Sequence, residues 1–237
     1  MQLATVYGGG ALWGIGYGLG VARALEAQGV PLSDAVAVGT SAGSWVAVAL
    51  RLGTQLELLS ELDVRPPYAE DGVLEAFGKR AFGDVTTPGI FGVAVRTDRP
   101  DRAELLDAGA IRAAQVVAAS SAVPGLFVPV KVGSSSYIDG MVAGSCTHAD
   151  LAPDADHLVV IAPMASEHIR GGPAVIARLE EETARWAARN PGATIDVWTP
   201  DRHCAATAAD DLFDMTAAFE VFERAQNQVQ VACEAVA

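Results

Sequence analysis

Two short apolar runs, each ending in glycine and each followed by a helical stretch, constrain this chain more than any other feature. Leu3 to Tyr7 is apolar and runs into Gly8-Gly9-Gly10, and a helix is predicted over Ile15 to Gln28, stopped by Gly29 and Pro31. Ala35 to Val38 is a second apolar run. It enters the turn Gly39-Thr40-Ser41-Ala42-Gly43, after which Ala42 to Leu52 reads as helix. This strand–helix–strand–helix start predicts a parallel sheet covered by helices.

Further along, Gln55 to Phe82 reads as mostly helical, interrupted by Pro66 and Pro67. Gly92 to Thr97 reads as a strand and Ala110 to Ser121 as a helix stopped by Pro124. Phe127 to Val132 and Ser136 to Ile138 form a hairpin around Gly133-Ser134-Ser135, with Asp139-Gly140 just past its second arm. Leu158 to Ala162 and Thr194 to Trp198 read as strands, Pro173 to Arg189 as an amphipathic helix, and Asp210 to Val236 as a closing helix. No repeat or low-complexity linker divides the 237 residues, which are read as a single domain.

Charge narrows the partners. A net charge of -13 repels phosphate backbones, so nucleic acid is disfavoured and anionic membrane surfaces with it. The first 22 residues carry no charged side chain, but they lack a basic start and are interrupted by seven glycines. Neither a signal peptide nor an integral membrane segment is expected, and a cytoplasmic location is. Cys146, Cys204 and Cys233 are odd in number and widely spaced. They suggest free thiols in a reducing compartment, not a disulfide framework or a metal site.

The turn around Ser41 is where chemistry is expected. A serine that attacks a carbonyl must project its hydroxyl from a sharp strand-to-helix turn, whose flanking residues must be small because they pass close together. Gly39 and Gly43 meet that demand, and the following helix aims its first amides at developing negative charge. Gly8 to Gly10 admits two readings. As a phosphate cradle it fails the spacing, since Leu19 stands where a third fingerprint glycine is needed after Gly14 and Gly16, and no Walker lysine is present. As an oxyanion hole it fits, because the loops after parallel strands open on the same sheet edge, beside Ser41. The four histidines, His148, His157, His168 and His203, have no pattern of a triad base around them. A single strand and helix before the strand of Ser41 is too little chain for an α/β-hydrolase core, although His203 falls late enough in the order.

Taken together, Gly8-Gly9-Gly10, the elbow Gly39 to Gly43, the segment Ala118 to Pro129 and the distal Asp139-Gly140 resemble the patatin-like phospholipases over Leu3 to about Pro163. The resemblance implies a three-layer α/β/α sandwich with a mainly parallel central sheet. It also implies a Ser–Asp dyad of Ser41 and Asp139, an oxyanion hole of Gly8, Gly9 and Gly10, a structural role for Gly140, and no cofactor or metal. The Ser41 and Asp139 side chains should then lie within hydrogen-bond reach, with an amide of Gly9 or Gly10 facing Ser41. Two positions depart from the family pattern: Ala11-Leu12-Trp13-Gly14 follows Gly10 without the usual arginine, and Met141 follows Gly140 where the family has glycine.

Three functions follow from these residues: hydrolysis of lipid or other acyl esters, including a carrier-bound acyl group; acyl transfer to an alcohol or amine on the same dyad; or acyl binding with catalysis lost. Trp13 and Tyr17 either line an acyl pocket or pack helix against sheet. Oligomeric state is not legible.

Overall fold

The fold follows from strands that must bury both faces. A computed structural model describes residues 2–57, 64–208 and 211–235. Strands β1 (Leu3–Tyr7), β2 (Val36–Thr40), β3 (Ile90–Arg96), β7 (His157–Ile161) and β8 (Thr194–Trp198) form a parallel core in the order β3-β2-β1-β7-β8. Side chains alternate between two cores. Tyr7, Ala37, Ile90, Ala94, Val159 and Ile161 face one, shared with helices α1 (Ala11–Ala27), α2 (Ala42–Leu52), α3 (Val73–Phe82), α4 (Ala113–Ser120) and α7 (Met215–Glu234). Ala4, Val6, Val38, Val93, Leu158 and Val160 face the other, closed by Leu179 and Trp186 of α5 (Gly172–Arg189). The chain is therefore a three-layer α/β/α sandwich. A one-turn helix, α6 (Arg202–Ala205), precedes α7.

Beyond β3 the sheet turns antiparallel. Strand β4 (Ala103–Asp107) pairs with one edge of β3, while β6 (Ser135–Asp139), in hairpin with β5 (Val130–Val132), pairs with Ala94 to Arg96 on the edge that β2 has just vacated. Thr40 is opposite Val93 and Asp139 is opposite Ala94. The end of β6 therefore meets the end of β2 nearly head-on, and this placement builds the site.

Several sequence expectations are corrected. Helix α1 begins at Ala11, directly after Gly10, not at Ile15. Its glycines serve helix packing: a Cβ on Gly16 would lie 2.1 Å from the Ala218 carbonyl oxygen of α7, so α1 and α7 approach at backbone distance. Between Gln55 and Phe82 the long helix is Val73–Phe82, and 58–63 lie outside the described residues. Strand β4, Ala-Glu-Leu-Leu-Asp, was not expected; its two acidic residues break the apolar pattern, which an edge strand tolerates. Trp13 and Tyr17 are fully buried and stand outside the wall of the cavity beside Ser41; the Trp13 indole donates to Thr207 Oγ1 at 2.9 Å, so both are core residues. No helix among the described residues is long and apolar enough to cross a membrane.

Candidate active site

Ser41 sits where β2 becomes α2, with φ 53° and ψ -124°. That left-handed conformation costs a non-glycine residue of the order of 1–3 kcal/mol, so the surroundings must enforce it. Enforcement is visible on both sides. A Cβ on Gly43 would lie 1.9 Å from the Tyr7 carbonyl oxygen, and one on Gly39 would lie 2.5 Å from the Gly43 oxygen. Only glycine permits β1 and the elbow to pass so closely. The Ser41 amide is held in turn, donating to Ser120 Oγ at 2.9 Å.

Asp139 is wholly buried beside it. Its Oδ1 accepts from the Met141 amide at 2.8 Å, while Oδ2 has no hydrogen-bond partner among the described residues. The Ser41 hydroxyl interacts with this carboxyl without closing to a full hydrogen bond on Oδ2. Burial pushes the Asp139 pKa up to about 6; the Ser41 hydroxyl and then the Met141 amide pull against it. The carboxyl is thus a stronger base than an ordinary aspartate near pH 4. The Met141 departure is also accounted for. Its backbone amide does the positioning, which any residue but proline supplies, and its exposed side chain reaches the pocket mouth.

The glycine loop divides its amides differently from the sequence expectation. Gly8 N–H donates to the Ile161 carbonyl and Gly9 N–H to the Cys146 carbonyl, each at 2.8 Å, so neither is available to an anion. Among the described residues the amides of Gly10, Ala11 and Ala42 have no partner. They lie at the N-terminal ends of α1 and α2, where orphan N–H groups favour negative charge. Gly10 remains a donor candidate; Gly8 and Gly9 shape the loop, with a Gly9 Cβ falling 3.3 Å from that of Ser41. Ala11 and Ala42 were missed because a backbone donor leaves no mark on residue type.

An apolar cavity of about 520 Å³ opens over Ser41, walled by Leu12, Ile15, Trp45, Leu74, Phe77 and Phe127. Among the described residues no histidine lines it. His148 is buried and bonds the Gly140 carbonyl through Nε2 at 2.9 Å, and His157 pairs with Asp196. Gly140 is structural, since a Cβ there would meet the Val93 oxygen at 2.5 Å. Cys146 also lines the cavity, but burial, then the Asp139 and Glu182 carboxylates, push its thiol up to about 11, so it is protonated at neutral pH. His148, Asp150 and Glu182 bring potential metal ligands within 4.8 Å of one another. The Glu182 oxygens, however, already accept from Thr147, Ala149 and Arg178.

The Asp139 environment has a measurable consequence. With its folded pKa above the unfolded value, the folded state holds more protons between about pH 4 and 6. Stability therefore falls as pH rises through that window, and the burial penalty is complete above it. The rise from 3.8 to about 6 corresponds to roughly 3 kcal/mol. Asp139→Asn should thus melt several degrees above wild type at pH 8, with the gain shrinking toward zero near pH 4. Equal gains at both pH values would contradict the raised pKa.

No protein-family model matches the sequence. No curated protein matches it. Twelve solved chains match in structure. One is VipD from Legionella pneumophila, 13% identical with a TM-score of 0.47; the match covers 98% of this chain and 66% of that one, so this chain spans just under two thirds of its length. At that identity and score the likeness says nothing of activity.

Proposed function

We propose that the chain is a patatin-like serine acyl hydrolase acting through Ser41 and Asp139. The observation that carries this reading is the strained serine beside a buried carboxyl with an unpaired oxygen, at the wall of an apolar cavity flanked by free backbone amides. Ser41 Oγ attacks the ester carbonyl while its proton passes to Asp139 Oδ2. The carbonyl oxygen becomes an oxyanion facing the Gly10, Ala11 and Ala42 amides. Collapse breaks the ester C–O bond, and the leaving alkoxide takes the proton from Asp139. Water then attacks the acyl-serine, Asp139 accepts its proton and returns it to Ser41, and a carboxylic acid leaves. The acyl chain occupies the cavity. An alcohol or amine in place of water would make the same site an acyltransferase.

A fluorophosphonate probe tests the reading by phosphonylating Ser41 with loss of fluoride. Labelling and ester hydrolysis should vanish in Ser41→Ala and fall steeply in Asp139→Asn; full labelling of Ser41→Ala would end the proposal. The cavity makes a second expectation. Each buried methylene is worth about 0.8 kcal/mol, so kcat/KM for straight-chain 4-nitrophenyl esters should rise about fourfold per carbon until the cavity fills. A flat series would remove the cavity from the substrate site.

A further inference from the structure

The C-terminal turn of α4 touches both members of the dyad, and nothing in the mechanism above uses it. Ser120 is fully buried. Its Oγ accepts the Ser41 amide at 2.9 Å and donates to the Val93 carbonyl at 2.7 Å, with the Gly39 carbonyl at 3.5 Å. Two residues on, the Ala122 carbonyl accepts the Asp139 amide at 3.0 Å. Ser121 between them takes the indole N–H of Trp45, on the first turns of α2, at 3.0 Å. Three consecutive residues thus hold the nucleophile, the helix behind it and the base.

Chain geometry explains the need for such a holder. Strand β2 leaves the sheet at Thr40, so the Ser41 amide turns away from β3 and has no ladder partner. A buried amide without one would bear its desolvation penalty uncompensated. Ser120 supplies the missing acceptor, and its own proton ties that bond to Val93, the last β3 residue opposite β2. Val93 is also the residue against which Gly140 packs. The hydroxyl is a rivet between the elbow and β3, whose next residue, Ala94, is opposite Asp139 of β6.

We infer that Ser120 is a positioning residue, whose hydroxyl holds Ser41 in its left-handed conformation and in register with Asp139. This rests on the reading of Ser41 as nucleophile. Removing the hydroxyl frees the Ser41 amide to relax, so alignment for attack is lost while the cavity that binds the acyl chain is untouched. The loss should appear in kcat and not in KM.

The test compares Ser120→Ala, Ser120→Cys and Ser120→Thr with Thr207→Val, which removes a buried hydroxyl bonded to Trp13 away from the cavity. Kinetics with a short soluble ester and the second-order rate of fluorophosphonate labelling are measured alongside melting temperature. Ser120→Ala should lose about 10- to 100-fold in kcat and in labelling rate at a KM within twofold of wild type. Thr207→Val should melt lower with kcat unchanged, so destabilisation alone does not account for the loss. Ser120→Thr, which keeps the hydroxyl, should recover most of the rate. Ser120→Cys keeps the volume with a weak acceptor; it carries the test if the alanine variant does not fold, with an expected loss of about tenfold. Wild-type kcat in a folded Ser120→Ala or Ser120→Cys, or equal loss in Thr207→Val, overturns the inference. Undiminished activity in Ser41→Ala would instead overturn the catalytic reading on which it stands.

Discussion

Ser41→Ala should lose at least about 10^4-fold in kcat for ester hydrolysis and remain fully folded. The chemical half of this expectation follows from the cavity. Among the described residues no histidine lines it, Cys146 is held protonated, and the Ser121 hydroxyl is engaged by the Trp45 indole, which leaves Ser41 as the hydroxyl beside the Asp139 carboxyl. The structural half follows from the backbone. Alanine at φ 53° is no better placed than serine, so the substitution relieves no strain. Ser41→Gly separates the two halves. Glycine adopts that conformation freely, so the variant should be as inactive as alanine yet more stable by about 1 kcal/mol. A gain in stability on removing the proposed nucleophile would mark a site maintained against the fold's own preference. Residual activity within tenfold of wild type in both variants would exclude Ser41 as nucleophile.

The second large effect is on folding. Gly43→Ala should destabilise by about 4 kcal/mol or more, and lower the melting temperature by roughly 10 °C or beyond. The added Cβ would lie 1.9 Å from the Tyr7 oxygen, 2.3 Å from its carbon and 2.9 Å from the Gly8 oxygen. All three are backbone atoms at the end of β1, which is pinned between β2 and β7. No side chain can swing aside, so either α2 tilts or the central strand shifts. Gly53→Ala is the matched comparison. There φ is 70° with no described atom within 4 Å of the new Cβ, so the cost is conformational and about 1 kcal/mol. Comparable melting temperatures for the two variants would show that clearance at the elbow is not what fixes Gly43.

The comparison also shows what a sequence can and cannot display. Glycines at 39 and 43 were legible because a strand-to-helix turn around a serine has room for little else there. The apolar runs of β1, β2 and β7 were legible because strands buried on both faces lose their polar alternation. Strand β4 was not, because at an edge the pattern is relaxed. The spacing around Leu19 argued against a nucleotide loop, but the packing role of the α1 glycines was not legible, since the surface of α7 that requires them lies some two hundred residues away.

The candidate site divides along the same line. Sequence by itself determined the residue types: a serine between glycines, an Asp-Gly after a hairpin, a glycine loop after the first strand. Tertiary structure alone decided what each one does. It buried Asp139 and raised its pKa, because β6 takes up the edge of β3 that β2 abandons at Thr40. It tied up the Gly8 and Gly9 amides and left those of Gly10, Ala11 and Ala42 open. It also brought Ser120 under the Ser41 amide. Backbone donors, desolvation and strand register are properties of how chain segments meet, and no residue's identity encodes them locally.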